Sequence, residues 1–207
     1  MRRSETESAS AWSRWFRVAD PSTLYLLRHG EIDRPPVWQF DDAVLTDRGR
    51  KQVRALAETW PHAVPDVIYH SPLPRSMETA SICAVVWRRP TKPMRELNEW
   101  AATEKDVPQE TYRILERKCW ADLDFRNDAG ESLGHATERI RDSLTTIATR
   151  HEGRPVLVSG HAILFALFLA QVRGERATEA MKDRIGFGSY AIVEHRSAFL
   201  VRRDFSA

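Results

Sequence analysis

The amino-acid sequence predicts an α/β protein with three α/β/α layers, a largely parallel central sheet and a small helical cap insertion. Apolar runs of strand length alternate along the chain with stretches whose apolar residues recur at helical spacing. Such alternation is typical of parallel sheets that carry helices on both faces. The 207 residues are enough for one medium-sized domain with a cap.

The predicted strands are short apolar runs, most of them bounded by turn residues. The last two strands are expected to pair as a hairpin or at a sheet edge. The six segments are STLYLLRH at 22–29, PDVIYHSP at 65–72, KPMREL at 92–97, RPVLVSGH at 154–161, SYAIVEH at 189–195 and AFLVRRDF at 198–205.

The predicted helices lie between these strands. One begins behind Thr46, a possible N-cap, and others follow at 75–87, after the segment GESLGHA, and at 162–172. The stretch 107–126 also has helical spacing, but charges of both signs favour a solvated or lid-like element.

Composition argues against several functional classes. The chain has 31 basic and 29 acidic residues, well mixed and without a basic tract, so no nucleic-acid partner is expected. The longest apolar run, at 162–170, is about half of what a membrane-spanning helix needs. Cys83 and Cys119 have no CxxC partner and indicate reduced thiols in a cytoplasmic protein.

Residues 1–22 are expected to form a flexible N-terminal arm before a single domain at 23–207. The arm lacks the continuous apolar core of a signal peptide. Its aromatic residues, Trp12, Trp15 and Phe16, could pack on the chain's own domain or contact a partner or a membrane surface. The late apolar strands leave a dimer possible.

Histidines, arginines and a carboxylate follow the predicted strands. Arg28 and His29 end the first strand, and the second leads to Arg75. Glu99 follows the third strand, and His161 ends the fourth. Each residue alone has an ordinary structural explanation, but ligands of α/β sheets bind beyond the carboxyl ends of the strands, where these residues would converge.

This combination of residue types suits phosphoryl transfer. Two arginine forks match the oxygens of a phosphate group. A neutral imidazole can attack phosphorus, and a second histidine can stabilise the charge on the phosphoryl oxygens. A carboxyl group can protonate the leaving oxygen. The histidines lack metal-site spacing, so we expect neither a metal nor another cofactor.

Four segments in this order resemble a known family. They are LLRHGE at 26–31, SPLPRSMETA at 71–80, GES at 130–132 and VLVSGH at 156–161. The stretch LTDRGRKQVRAL at 45–56 is similar to that family's first helix. The chain therefore resembles the histidine phosphatase superfamily, also called phosphoglycerate-mutase-like, over roughly residues 24–195.

The resemblance implies a role for each matching residue. His29 would be the phosphorylated nucleophile, and Arg28, Arg75 and His161 would bind the phosphate. Glu99 falls where the family places its proton donor, with Glu96 as the main rival. Glu31 could help to shape the pocket, and Gly30 would let the backbone pass close to the phosphate.

The chain also departs from the family pattern. A threonine and an asparagine often follow RHG and contact phosphate, whereas here the sequence continues IDRPP at 32–36. His70 replaces the small residue that is common before SP, and it could be structural or approach the pocket. Two aromatic residues before the first helix, Trp38 and Phe40, and two near the cap, Trp100 and Trp120, could belong to the substrate walls or to the core.

The resemblance favours the phosphatase branch. Mutases of the family carry a longer insertion after the SPLxR motif, and GES is more typical of phosphatases. We therefore expect a metal-independent phosphatase for a small phosphorylated substrate, with a phosphoprotein possible, and a cap insertion at about 100–128 that decides specificity. A phosphoglycerate-type phosphomutase and a weakly active scaffold that binds phosphorylated ligands are the alternatives.

Overall fold

The structure is a computed structural model that describes residues 20–33, 42–105, 107–127 and 130–205. Nearly all of the predicted N-terminal arm, the prolines of the IDRPP segment, Trp38 and Phe40 lie outside these ranges. Within them, no helix is long and apolar enough to cross a membrane.

The described residues form a six-stranded sheet in the order β3-β2-β4-β1-β5-β6. The strands are β1 (Ser22–Arg28), β2 (Val67–His70), β3 (Thr91–Pro93), β4 (Pro155–Gly160), β5 (Tyr190–His195) and β6 (Phe199–Arg203). The first four strands pair in parallel, whereas β5 joins β1 and β6 in antiparallel pairs. The prediction of a largely parallel sheet that ends in a late hairpin is confirmed.

The third strand is shorter than predicted. It stops at Pro93, and the residues that follow turn into a 3-10 helix at Arg95–Leu97. The amide of Met94 donates the last hydrogen bond of this pairing to the carbonyl of His70, at 2.9 Å. All three residues of β3 are exposed at the sheet edge, so little apolar burial is available to extend it.

Six α-helices lie in the described residues, and five of them correspond to predicted helical stretches, although α4 begins inside the segment GESLGHA and not after it. They are α1 (Asp47–Glu58), α2 (Pro74–Trp87), α3 (Gln109–Ala121), α4 (Leu133–Arg150), α5 (Ala162–Arg173) and α6 (Glu179–Asp183). The Thr46 hydroxyl accepts a hydrogen bond from the amide of Gly49 at 2.9 Å, as predicted for the N-cap of α1. The short α6 was not predicted because its five residues are too few to show a helical period.

Helices cover both faces of the sheet, as the alternation along β1 illustrates. Leu24 and Leu26 belong to the apolar cluster that contains the buried residues of α4 and α5. Tyr25 and Leu27 belong to the cluster formed with α1 and α2. Because neighbouring strand residues point to opposite faces, this pattern gives the predicted α/β/α layers.

Candidate active site

The carboxyl ends of β1, β2 and β4 adjoin a cavity of about 230 Å³. Arg28, His29, Arg75 and Glu99 line it. His161 is fully buried beside them, with its ring centroid 5.3 Å from that of His29. The structure thus brings together all five residues that the sequence singled out.

Strand register places the two histidines side by side. Arg28 of β1 is paired with Gly160 of β4, so the next residues of the two strands, His29 and His161, leave the sheet together. The amide of His29 also donates to the carbonyl of Gly160 at 3.1 Å. Arg75 reaches the same point from the first turn of α2, where it is only 4% exposed.

One hydrogen bond fixes the tautomer of His29. Its Nδ1 lies 2.8 Å from the carbonyl oxygen of Gly30, which can only accept, so Nδ1 carries the proton. Burial lowers the pKa of His29 well below its usual value, and the charges of Arg75 and Arg28 act in the same direction. His29 is therefore a neutral imidazole whose Nε2 holds the lone pair.

The environment of His161 differs from that of His29. Its Nε2 lies 2.8 Å from the hydroxyl of Ser71, which also accepts from the amide of Leu73 at 3.2 Å. Among the described residues, Nδ1 of His161 has no hydrogen-bond partner although it is buried. Burial lowers the pKa of His161 well below its usual value, with Arg75 as a second cause. A buried ring nitrogen without a partner is costly, so this atom is suited to meet a ligand.

Arg28 is held by the loop before β5. One of its terminal nitrogens donates to the carbonyl of Ile185. Its guanidinium lies 4.0 Å from the ring centroid of Phe187, and that ring lies 5.5 Å from the ring of His29. Planar guanidinium groups stack well on aromatic rings, so Phe187 fixes the plane of Arg28 beside the histidine.

Glu99 faces the start of helix α5. Its carboxylate oxygens accept from the amides of Ile163 at 3.2 Å, Leu164 at 3.3 Å and Trp100 at 3.0 Å. Burial raises the pKa of Glu99, while Arg75 and the amides oppose this shift. Its rival, Glu96, is an exposed residue of the 3-10 helix and does not line the cavity.

Three residues near the site, Glu31, Gly30 and His70, were considered for roles at the phosphate pocket, and the structure gives each of them another contact. Glu31 does not line the cavity but pairs with Arg48 of α1 at 3.3 Å. The space beside Gly30 is occupied by Val53 and by the backbone of α1, so the missing side chain of this glycine allows α1 to pack against the loop. His70 is buried and donates a hydrogen bond from Nδ1 to the carbonyl of Ser71 at 2.8 Å. Of the two roles considered for His70, this contact favours the structural one.

The cap and the loop before β5 supply the rest of the cavity wall. Trp100 was predicted as a possible wall residue and lines the cavity, whereas Trp120 is buried in the core. Sequence reasoning missed Phe187 and Tyr112. Phe187 could have been placed at the site only if the antiparallel pairing of β5 with β1 were known, because that pairing puts the start of β5 beside the end of β1. The remaining lining residues are Ile32, Ala101, Gln109, Arg113, Glu116, Ala162, Ile163, Lys182 and Asp183.

The described residues contain no group of three or more His, Cys, Asp or Glu side chains placed to hold an ion. The cationic side chains that line the cavity are those of Arg28 in β1, Arg75 in α2, Arg113 in α3 and Lys182 in α6.

The family model of the histidine phosphatase superfamily (branch 1) matches residues 24–201. The chain belongs to this superfamily. Phosphoserine phosphatase 1 of Hydrogenobacter thermophilus is 26% identical over 194 residues, which cover 86% of this chain and 90% of that protein. A probable phosphoglycerate mutase of Proteus mirabilis is 29% identical over 185 residues, covering 84% of this chain and 86% of the mutase.

Solved structures show the same fold. The Bacillus stearothermophilus protein YhfR aligns with a TM-score of 0.76 at 24% identity, covering 90% of this chain and 98% of its own. A mycobacterial glucosyl-3-phosphoglycerate phosphatase aligns with a TM-score of 0.76 at 18% identity, covering 90% of this chain and 100% of its own. At these identities the structural matches support the fold.

Proposed function

We propose that this protein is a metal-independent phosphatase that hydrolyses phosphomonoesters through a phosphohistidine intermediate on His29. The hydrogen bond from His29 Nδ1 to the Gly30 carbonyl carries this proposal. It leaves Nε2 with a lone pair beside a cavity whose lining includes Arg28 and Arg75. A neutral imidazole in that setting is suited to attack a bound phosphoryl group.

Arg28, Arg75 and His161 would hold that phosphoryl group. Arginine forks donate to phosphate oxygens in a fixed geometry, and both guanidinium groups face the cavity. The unpartnered Nδ1 of His161 offers a further donor if the Ser71 hydroxyl donates to Nε2. Donors of this kind stabilise the charge that moves onto the phosphoryl oxygens in the transition state.

The reaction has two balanced steps. In the first, Nε2 of His29 forms a bond to phosphorus, the bond from phosphorus to the alcohol oxygen breaks, and Glu99 gives its proton to that oxygen. In the second, water attacks phosphorus, Glu99 takes the water proton, and the phosphorus–nitrogen bond breaks to release inorganic phosphate. The raised pKa of Glu99 suits this exchange, because the carboxyl group must be protonated in the first step.

The substrate is proposed to be a small phosphorylated molecule in the cytoplasm. The named phosphatases among the similar proteins act on phosphoserine and glucosyl-3-phosphoglycerate. The site belongs to a proposed single domain at 23–207 with its cap at about 100–128, and Trp100 and Tyr112 give this cap direct contact with the cavity.

Hydrolysis of p-nitrophenyl phosphate tests the proposal. We expect turnover in the presence of a chelator, and we expect His29→Ala to abolish it, because the variant lacks the proposed nucleophile. The matched control is His195→Gln, whose position lies at the opposite end of β5 from the cavity and pairs with Ser22. Loss of turnover on chelation would overturn the metal-free mechanism, and full activity of His29→Ala would overturn the nucleophile assignment. Absence of turnover in the wild type would contradict the phosphatase proposal and favour the scaffold.

A phosphomutase is the second candidate, favoured by the similarity to the probable phosphoglycerate mutase of Proteus mirabilis. The two functions differ in the fate of the phosphoryl group. Incubation with 3-phosphoglycerate and a bisphosphate primer should release inorganic phosphate if the protein is a phosphatase. Formation of 2-phosphoglycerate without net phosphate release would identify a mutase.

A further inference from the structure

An ion pair lines a second cavity, which Glu99 also lines. It joins Glu131, of the GES segment, to Arg139 of helix α4. Nε of Arg139 donates to Oε1 of Glu131 at 2.8 Å, and Nη2 donates to Oε2 at 2.6 Å. The two side chains are only 17% and 22% exposed, so this bidentate pair is well shielded from water.

The remaining terminal nitrogen of Arg139 contacts the chain just before Glu99. Nη1 donates to the carbonyl of Glu96 and, at 3.0 Å, to the carbonyl of Asn98. A single guanidinium thus holds both the GES segment and the backbone that leads into Glu99.

Residue 131 also holds the chain just after Glu99. Its carbonyl accepts from the indole nitrogen of Trp100 at 2.7 Å, and its amide donates to the carbonyl of Ala101 at 3.3 Å. The backbone beside it approaches closely too, because a Cβ added at Gly130 would lie 2.2 Å from the carbonyl oxygen of Ala102. The backbone before Glu99 is therefore hydrogen-bonded to Arg139, and the residues after Glu99 are hydrogen-bonded to Glu131.

We propose that Glu131 and Arg139 are positioning residues that fix the carboxyl group of Glu99 between the start of α5 and the substrate. This inference rests on the proposed role of Glu99 as proton donor. Neither member of the pair lines the cavity that holds His29, so they act through Glu99. Proton transfer depends steeply on donor placement, and a misplacement of about 1 Å can cost about 10²-fold in rate.

Two conservative substitutions test the proposal. Glu131→Gln keeps the shape of the side chain but removes its charge, and Arg139→Lys keeps the charge but loses the fork that reaches two partners at once. The readout is kcat/KM for two substrates, p-nitrophenyl phosphate and glycerol 2-phosphate. The first has a leaving group that needs little protonation, whereas the alkyl ester needs the acid.

We expect both variants to lower kcat/KM for glycerol 2-phosphate by up to about 10²-fold and to change the value for p-nitrophenyl phosphate far less. Partial unfolding reduces the activity on both substrates equally, so the ratio stays informative even if the melting temperature falls. The matched control is Arg141→Gln on the same helix, because the side chain of Arg141 pairs with exposed Asp142 and, within the described residues, with no part of the chain around Glu99. This control should leave the ratio unchanged.

The same measurement on Glu99→Gln separates the two proposals. If Glu99→Gln shifts the ratio and the Glu131 and Arg139 variants do not, the positioning proposal is wrong while the proton donor stands. If Glu99→Gln leaves the ratio unchanged, Glu99 is not the donor and the positioning proposal falls with it. In the double variant of Glu99→Gln with Glu131→Gln, we expect no further shift beyond that of Glu99→Gln alone.

Discussion

His29 and Glu99 are two titratable groups whose pKa values are shifted in opposite directions. Burial lowers the pKa of the imidazole and raises that of the carboxyl group, so desolvation favours the neutral form of both. A neutral nucleophile beside a protonated acid is the pair that the first proposed step requires. The same burial thus shifts the pKa of each group toward the protonation state that this step requires.

The pH dependence of kcat/KM should show both shifts. His29 must be neutral, so its lowered pKa puts the acidic limb below about 6.5, the ordinary value for histidine. Glu99 must be protonated, so activity on glycerol 2-phosphate should fall as pH rises through its raised pKa. Activity on p-nitrophenyl phosphate should lack most of this alkaline limb.

Comparing the two substrates well above the pKa of their phosphates removes the titration of the substrate. The second ionisation of an alkyl phosphate lies at about pH 6, and that of the nitrophenyl ester lies lower, so above this range both esters are dianions and a difference between their profiles comes from the leaving group and the enzyme. An alkaline limb that is identical for both substrates and persists in Glu99→Gln would contradict the assignment.

Among the elements, helix α1 is the one that fixes the loop after His29. The amide of Thr46 donates to the carbonyl of Glu31 at 3.0 Å. A Cβ at Gly49 would lie 2.2 Å from that same oxygen and 2.8 Å from the Glu31 amide nitrogen. The helix therefore packs its third residue directly on the backbone next to Gly30, whose carbonyl sets the tautomer of His29.

The substitution Gly49→Ala distinguishes two opposite effects on stability, the helix propensity of alanine and its overlap with the backbone of Glu31. Propensity alone predicts a gain of about 1 kcal/mol in the free energy of unfolding, since alanine favours helices. Overlap with a backbone that no rotamer change can relieve predicts a loss of about 1–3 kcal/mol. We expect the loss, together with a lower kcat, because the Gly30 carbonyl moves with Glu31.

Urea denaturation of Gly49→Ala measures this effect. The matched control is Gly134→Ala in helix α4, where the nearest atom to an added Cβ is a side-chain oxygen of Asp124 at 2.7 Å, which a change of rotamer can move away. A Gly49→Ala variant as stable and active as the wild type would show that the close approach of α1 is not required.

At the scale of the whole molecule, much of the fold and the site could be predicted from the sequence. Buried parallel strands are continuous apolar runs, so β1 and β4 stand out, and their polar ends mark the rim of the sheet. Because parallel strands end on one rim, the convergence of His29, Arg75 and His161 followed from topology.

The rest depends on contacts that local patterns do not encode. The edge strand β3 is exposed, so its length is set by where Met94 finds a partner and not by an apolar pattern. Glu31 lies two residues after the proposed nucleophile in the sequence, yet its side chain pairs with Arg48 of α1. The contacts of Arg139 with Glu131 and the chain beside Glu99 join segments far apart in the chain, and a single sequence gives no sign of such pairing.

The most direct test of the account is to trap the phosphoenzyme. The wild-type protein should be mixed with a radiolabelled phosphate ester, quenched in alkali, where phosphohistidine survives, and digested for peptide mapping. We expect one acid-labile phosphoryl group on the peptide that contains His29, and none in His29→Ala. A label on His161, or steady hydrolysis with no trappable phosphoenzyme in rapid-quench experiments, would contradict the phosphohistidine mechanism on His29.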